Sequence, residues 1–396
     1  MRVSLLHYGH ALGAAAVLAP LLGLFAPLLI APLVVLSILA ALSICIQRKQ
    51  PLPSLNDPFL LSIFGLLAWS GVTLLWSVSG ESATPNWASL AALMIPFTYL
   101  LTQMRLNAQP ERRLLRRAIC IGAALGIGLG LFEFATDGVI NMEVLQKGAT
   151  KSHYTEVVNR APAILLLFTW LAVLAAPKYR WPILAIGAVT GYLLPSESAL
   201  LAFAVGVVVY TVTLIAPRLA RILLPAAMAG TILLAPLLFS AVDKPVRMIA
   251  GENNPSIVHR IEIWSFAVDR IYERPWIGWG FNGSRAVPGG NERYLVKNAT
   301  GAVIGHGDRL PLHPHNGALQ IWLELGAVGA VLAAILAGLI GYRAVALAET
   351  GALTTTVFLI WLLSFGAWQS WWVCAISLTV LLAMPFYQAR EEDASC

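Results

Sequence analysis

Of 396 residues, 58% are hydrophobic and 12% are charged, about half the charged share of an average soluble domain, which excludes a water-soluble monomer. Apolar blocks of about 20 residues, each long enough to cross roughly 30 Å of hydrocarbon, tile most of the chain. They exclude a β-barrel, whose strands would alternate polar and apolar residues, and a single-span anchor carrying a soluble enzyme.

Taken in chain order, the blocks predict spans at Leu5 to Leu24, Ala26 to Ile46, Asp57 to Ser77, Pro85 to Met104, Arg113 to Ala135 and Arg160 to Pro177. Six more follow at Arg180 to Leu194, Glu197 to Ala216, Leu219 to Ser240, His315 to Arg343, Thr350 to Gln369 and Ser370 to Gln388. The expected fold is an all-α polytopic membrane protein of about 12 transmembrane helices. Helices 1 to 9 occupy residues 1–239, a long loop 240–314, helices 10 to 12 residues 315–388, and a tail 389–396.

The net charge of +6 would suggest nucleic acid in a soluble protein, but here the basic residues are topology signals first, and no nucleic-acid partner is expected. Fourteen of the 26 Lys and Arg residues, among them Arg2, Arg48, Lys49 and the Arg112-Arg117 cluster, fall on one side of a twelve-span layout. Short connections on the other side, such as Ser79 to Thr84, carry none. The positive-inside rule therefore puts both termini in the cytoplasm. The other twelve cations lie in two external segments, Asp137 to Arg160 and Ser240 to His315. The four cysteines have neither disulfide nor zinc spacing.

A loop of about 75 residues exceeds ordinary connections and is expected to be structured and functional. Within it, Ile257, Ile261, Trp264, Val268 and Ile271 recur at helical spacing, predicting an amphipathic helix over about 256–274, capped by Ser256, ended by Pro275 and lying on the membrane surface. Pro275-Trp276-Ile277-Gly278-Trp279-Gly280 then combines turn glycines with interfacial aromatics.

His313-Pro314-His315-Asn316 opens the tenth predicted span. Asn316 is a natural N-cap, and a histidine at the positive end of a helix is held neutral, as a general base for a hydroxyl must be. A histidine that only hydrogen-bonds the loop fits the same spacing, and for His313 that structural reading is preferred. Glu324 lies deep in an apolar helix, where a carboxylate needs a partner or a proton. It suits cation binding, positioning of Arg160 or Arg260, or plain structural bonding, while Gly326 and Gly329 suit close helix packing. Arg160 and Arg260 at the external interface form a fork matching pyrophosphate, or snorkel to lipid phosphate. Lys147, Lys151, His153 and Tyr154 suit either substrate contacts or a solvated loop, and Ser196-Glu197-Ser198 reads as a helix cap. No phosphate-binding loop, acidic metal cluster, His-Glu-x-x-His or Gly-x-Ser-x-Gly occurs.

His315-Asn316 with Gly326-x-x-Gly329, preceded by Arg260-x-x-x-Trp264 and Pro275-x-x-Gly278-x-Gly280, resembles the O-antigen ligase and polymerase superfamily, as does a long loop between spans nine and ten. The resemblance implies an inverting, metal-independent glycosyltransferase of the GT-C type with no cofactor, resident in the bacterial inner membrane with its active site facing the periplasm. It further implies an undecaprenyl pyrophosphate-linked O-antigen donor and lipid A-core as acceptor. Carried over, His315 is catalytic, Arg160 and Arg260 hold the pyrophosphate, and Asn316, His313 and Glu324 support them. A polymerase joining donor to donor and a protein O-oligosaccharyltransferase are the alternatives within the superfamily. Where many members carry Ser-Arg-Gly at a span start, this chain has Ser196-Glu197-Ser198. From another class, a twelve-span transporter or flippase would fit the hydropathy, although the chain shows no related halves.

Overall fold

The computed structural model describes residues 8–47, 57–106, 112–147, 158–250, 255–297 and 303–395. Arg2, Arg48, Lys49, Lys151, His153, Tyr154 and Cys396 lie outside them. The helices are α1 (Tyr8–Phe25), α2 (Ile30–Gln47), α3 (Pro58–Val72), α4 (Ala83–Leu106), α5 (Arg112–Ala135), α6 (Ala161–Ala175), α7 (Arg180–Leu193), α8 (Glu197–Ile215) and α9 (Pro217–Ala250). They continue as α10 (Pro255–Glu273), α11 (Gly317–Ala344), α12 (Ala348–Leu363) and α13 (Ser370–Ser395). A two-stranded antiparallel ribbon, β1 (Arg293–Lys297) with β2 (Val303–Asp308), pairs Arg293 with Asp308.

Every predicted span contains an apolar helix, and the chain is a multi-pass helical membrane protein. Eight helices among the described residues are long and apolar enough to cross a bilayer. The other four depart from the expected pattern. α1 and α12 are shorter, and α6 and α7 meet at 114°, where Pro177 withholds the backbone donor that would continue α6.

Every residue of α6 is buried, as expected of a helix apolar on all sides, so α6 is a central post. Its one indole, Trp170, donates to Thr356 Oγ1 of α12 at 2.9 Å, and Phe203 and Tyr210 of α8 pack on the ring at 5.2 and 5.8 Å. A second core joins α9, α10 and α11 through Ile232, Phe239, Ile261, Val268, Leu319 and Ala330. α10 thus buries its apolar stripe in protein, and it opens at Pro255 with Ser256 already inside its first turn. α9 continues ten residues past Ser240.

α11 is interrupted at Gly326, whose φ of 64° lies in the left-handed region. The Pro275 to Gly280 segment docks into this break. The amides of Trp279 and Gly280 donate to the carbonyls of Leu323 and Glu324 at 2.8 and 2.9 Å. Leu325 O accepts from Trp69 Nε1 of α3 at 2.9 Å. On the far side Ala327 donates to Pro275 O at 2.8 Å. Broken backbone at membrane depth is tolerated only where protein replaces the lost bonds, and here three successive carbonyls are satisfied. Gly326 therefore serves this break rather than close helix packing. A Cβ there would lie 2.4 Å from the Trp276 carbonyl carbon, and one on Gly278 would lie 2.5 Å from the Glu324 carbonyl. The aromatic anchor reading fits only Trp276, which is exposed; Trp279 is buried with its indole donating to Arg270 O.

Candidate active site

Glu324 is fully buried, and each of its oxygens accepts twice. Oε1 takes Ser284 Oγ at 2.6 Å and Gln320 Nε2 at 2.9 Å. Oε2 takes the Asn282 amide at 2.7 Å and Trp368 Nε1 at 2.8 Å. Four donors fill the capacity of a carboxylate, so Glu324 is a structural hub joining the loop between α10 and α11, α11 itself and the α12–α13 turn. All four donors come from Asn282, Ser284, Gln320 and Trp368, and neither Arg160 nor Arg260 is among them.

The histidines sit on a loop held from two sides. Asn316 caps α11, its Oδ1 accepting from Leu319 N at 3.0 Å, and Trp264 of α10 donates its indole to Pro314 O at 2.7 Å. His315 has φ 54°, a left-handed conformation costly for a residue with a Cβ. Its amide donates to His313 Nδ1 at 3.1 Å, and the two rings lie 4.3 Å apart. Its own Nδ1 faces the carbonyl oxygen of Ser364, the last residue turn of α12, at 2.8 Å. A carbonyl only accepts, so Nδ1 carries the proton and Nε2 is the basic nitrogen. Burial lowers the His315 pKa below the ordinary histidine value; the Ser364 bond opposes this, and Arg260 and His259 reinforce it. The neutrality expected from the helix terminus thus arises mainly from desolvation.

His313 is buried, its pKa pushed down to about 3 by desolvation first, then by His315 and Arg285. Because Nδ1 accepts from His315, Nε2 is the protonated nitrogen of the neutral ring. Gln369 Nε2 lies 2.9 Å from that nitrogen. His313 braces His315 through the bond to its amide.

Ser364 is also bonded through its side chain, Oγ to Oγ of Ser198 at 2.6 Å. This brings the Ser196-Glu197-Ser198 entrance of α8 beside His315. Ser196 caps α8 through Ala199 N at 3.4 Å. Glu197, exposed on the same turn, lies close enough to support the charge of Arg260, whose pKa burial lowers. Sequence reasoning assigned these residues no role beyond capping; the signal was three polar residues at the mouth of an apolar helix.

Arg260 and His315 share one electrostatic neighbourhood. Arg160, at the start of α6, stacks its guanidinium over Trp371 at 5.8 Å. Trp371 packs on Phe365 at 4.7 Å, adjacent to Ser364. Both arginines therefore reach the His315 end of the bundle by different routes. Lys147 belongs elsewhere: it binds Phe25 O and Asn141 Oδ1, and Asn141 Nδ2 donates to buried Glu133 at 2.6 Å, a brace that closes the α5 exit. Among the described residues no three His, Cys, Asp or Glu side chains form a metal-ligand group.

Residues 182–334, from α7 through the break in α11, match the family model described as O-antigen ligase. Through this segment the chain is similar to the O-antigen ligase family. The matched segment contains Glu197, Arg260, His313, His315 and Glu324, but neither Arg160 nor Ser364. The chain is also similar to curated proteins named "Putative polysaccharide ligase". One from Rickettsia bellii (strain RML369-C) is 28% identical over 295 residues, 69% of this chain and 67% of the relative. Others are from Rickettsia conorii, 26% over 305 residues covering 70% and 68%, and Rickettsia prowazekii, 25% over 346 residues covering 80% and 78%. No solved structure matches the chain.

Proposed function

We propose that this chain is an O-antigen ligase that transfers a glycan from undecaprenyl pyrophosphate to a sugar hydroxyl of lipid A-core on the periplasmic face of the inner membrane. The observation that carries this reading is His315, anchored at Nδ1 with Nε2 left basic beside Arg260. Nε2 accepts the proton of the acceptor hydroxyl as its oxygen attacks the anomeric carbon from the face opposite the leaving group. The bond from that carbon to the pyrophosphate oxygen breaks with inversion, and the leaving group carries away the electron pair. Arg260 and Arg160 stabilise the charge that develops there, in a site where guanidinium forks replace the function of a cation. The positive-inside pattern supports the periplasmic assignment.

The test is transfer in proteoliposomes from lipid-linked O-antigen to lipid A-core, with EDTA and without nucleotide. Glycosylated lipid A-core, lost in His315→Ala, supports the ligase. A ladder formed from donor alone identifies a polymerase, and absence of transfer to either acceptor overturns the reading.

A further inference from the structure

The bundle holds a cavity of about 810 Å³ between α3, α4, α9, α11, α12 and α13. Trp361, Ala367 and Trp368 close its end toward His315, and neither His315, Arg160 nor Arg260 lines it. Along α13 from Val373 to Met384 the walls are mostly apolar, with Ser377 and Thr379 among the lining residues. At the opposite end the lining changes to Arg221, Tyr342 and Arg343, with Tyr387 and Gln388.

Arg343 lies in the last turn of α11. Its Nη2 bonds Asp57 at 2.8 Å, and the guanidinium lies 5.2 Å from the Phe59 ring. Its Nη1 is buried and has no hydrogen-bond partner among the described residues. A buried guanidinium N–H without an acceptor is a costly arrangement that an anionic oxygen would relieve. Arg221 of α9 is exposed and sits over the Tyr342 ring at 5.5 Å. Two guanidiniums thus stand at the mouth of an apolar cavity, and Arg343 Nη1 lacks an acceptor among the described residues. Val373 and Gln388 bracket about 22 Å of α13 at 1.5 Å per residue, more than half of a hydrocarbon core of about 30 Å, so an acyl chain fits along it.

We propose that this mouth binds an anionic phospholipid from the leaflet opposite the His315 end, its phosphate between Arg221 and Arg343 and an acyl chain in the cavity. The combination requires an amphiphile: free phosphate leaves the apolar walls empty, and a neutral chain leaves Arg343 Nη1 unsatisfied. Two guanidiniums, one with an unsatisfied N–H, select phosphatidylglycerol over zwitterionic phosphatidylcholine, whose own ammonium compensates its phosphate. The site is independent of the transfer reaction.

Native mass spectrometry of the full chain, released from nanodiscs of equal phosphatidylglycerol and phosphatidylcholine, tests it. One phosphatidylglycerol is expected to be retained with about tenfold preference, the factor given by one charge-assisted hydrogen bond. Arg221→Gln, at an exposed position, is expected to abolish the preference, and Ala383→Trp to block retention by filling the cavity while leaving both arginines in place. Arg274→Gln, toward the other end of the bundle, is expected to leave it intact. Equal retention of the two lipids, unchanged preference in Arg221→Gln, or a polyprenyl lipid as the retained species would overturn the proposal.

Discussion

His315 Nδ1 donates to the main-chain oxygen of Ser364 across 49 residues of sequence, so the tautomer of the base is set by the end of α12 rather than by its own loop. Ser364 is in turn tied to Ser198. Removing Ser198 Oγ leaves every group on the ring in place and loosens only its support. Ser198→Ala is expected to reduce kcat several-fold with KM unchanged, consistent with loss of one hydrogen bond of about 1 kcal/mol, and Ser198→Thr to restore it. An unchanged kcat in the alanine variant would remove Ser198 from the positioning of His315.

Replacement of the base itself is a larger perturbation. His315→Ala is expected to lower transfer by about 10²- to 10⁴-fold, the usual range for general-base catalysis, with the purified variant melting like the parent. A loss confined to KM would show that the ring only places the acceptor.

The pH dependence follows from the lowered pKa of His315. A base works in its neutral form, and a depressed pKa keeps it neutral to more acidic pH. The acid limb of kcat/KM is therefore expected below the ordinary histidine value of about 6.5, and to disappear in His315→Ala. An acid limb above about 7 contradicts the assignment.

His313 predicts a stability effect of definite sign. Its pKa is about 3 in the folded protein and near the ordinary value of about 6.5 when unfolded. Between these limits the unfolded chain binds the additional proton, so stability rises with pH through that window and is lost as pH falls from about 6.5 toward 3. Thermal melts across this range in parent and His313→Gln are expected to differ in slope, the variant being flatter.

Glu324→Gln keeps the volume but turns one acceptor oxygen into a donor facing donors. The cost is expected at about 1–3 kcal/mol for each orphaned buried group, read as a lowered melting temperature and faster proteolysis of the Asn282 to Arg285 turn. Gly326→Ala adds a left-handed penalty of roughly 1–2 kcal/mol to the overlap with Trp276, and is expected to prevent accumulation of folded protein. Gly128→Ala and Gly230→Ala, where a Cβ meets nothing within 4 Å, are expected to be neutral or slightly stabilising.

The apolar segments were legible because hydropathy records directly which stretches avoid water, and Asn316 announced the start of α11. The interruption of α11 was not. Hydropathy runs unbroken across Leu323, Leu325 and Ala327, and the partners that satisfy the break, Trp69 and Trp279, stand 256 and 44 residues away. The same holds for the neighbourhood of His315. Ser364 looks like an ordinary polar residue near a span end until folding brings Ser198 to it, and Arg160 declares a charge at an interface without declaring Trp371. Depth and charge are local properties of a sequence; orientation of a side chain by a distant carbonyl is not.

The docking of Pro275 to Gly280 into α11 has a consequence for assembly. A helix from Gly317 to Ala344 enters the bilayer with its own backbone bonds complete, whereas the broken form needs donors from the Pro275 to Gly280 segment. The kink, the Glu324 hub and the geometry of His315 can form only after that segment has docked. A newly inserted chain thus lacks the orientation of His315 until that final exchange of backbone partners.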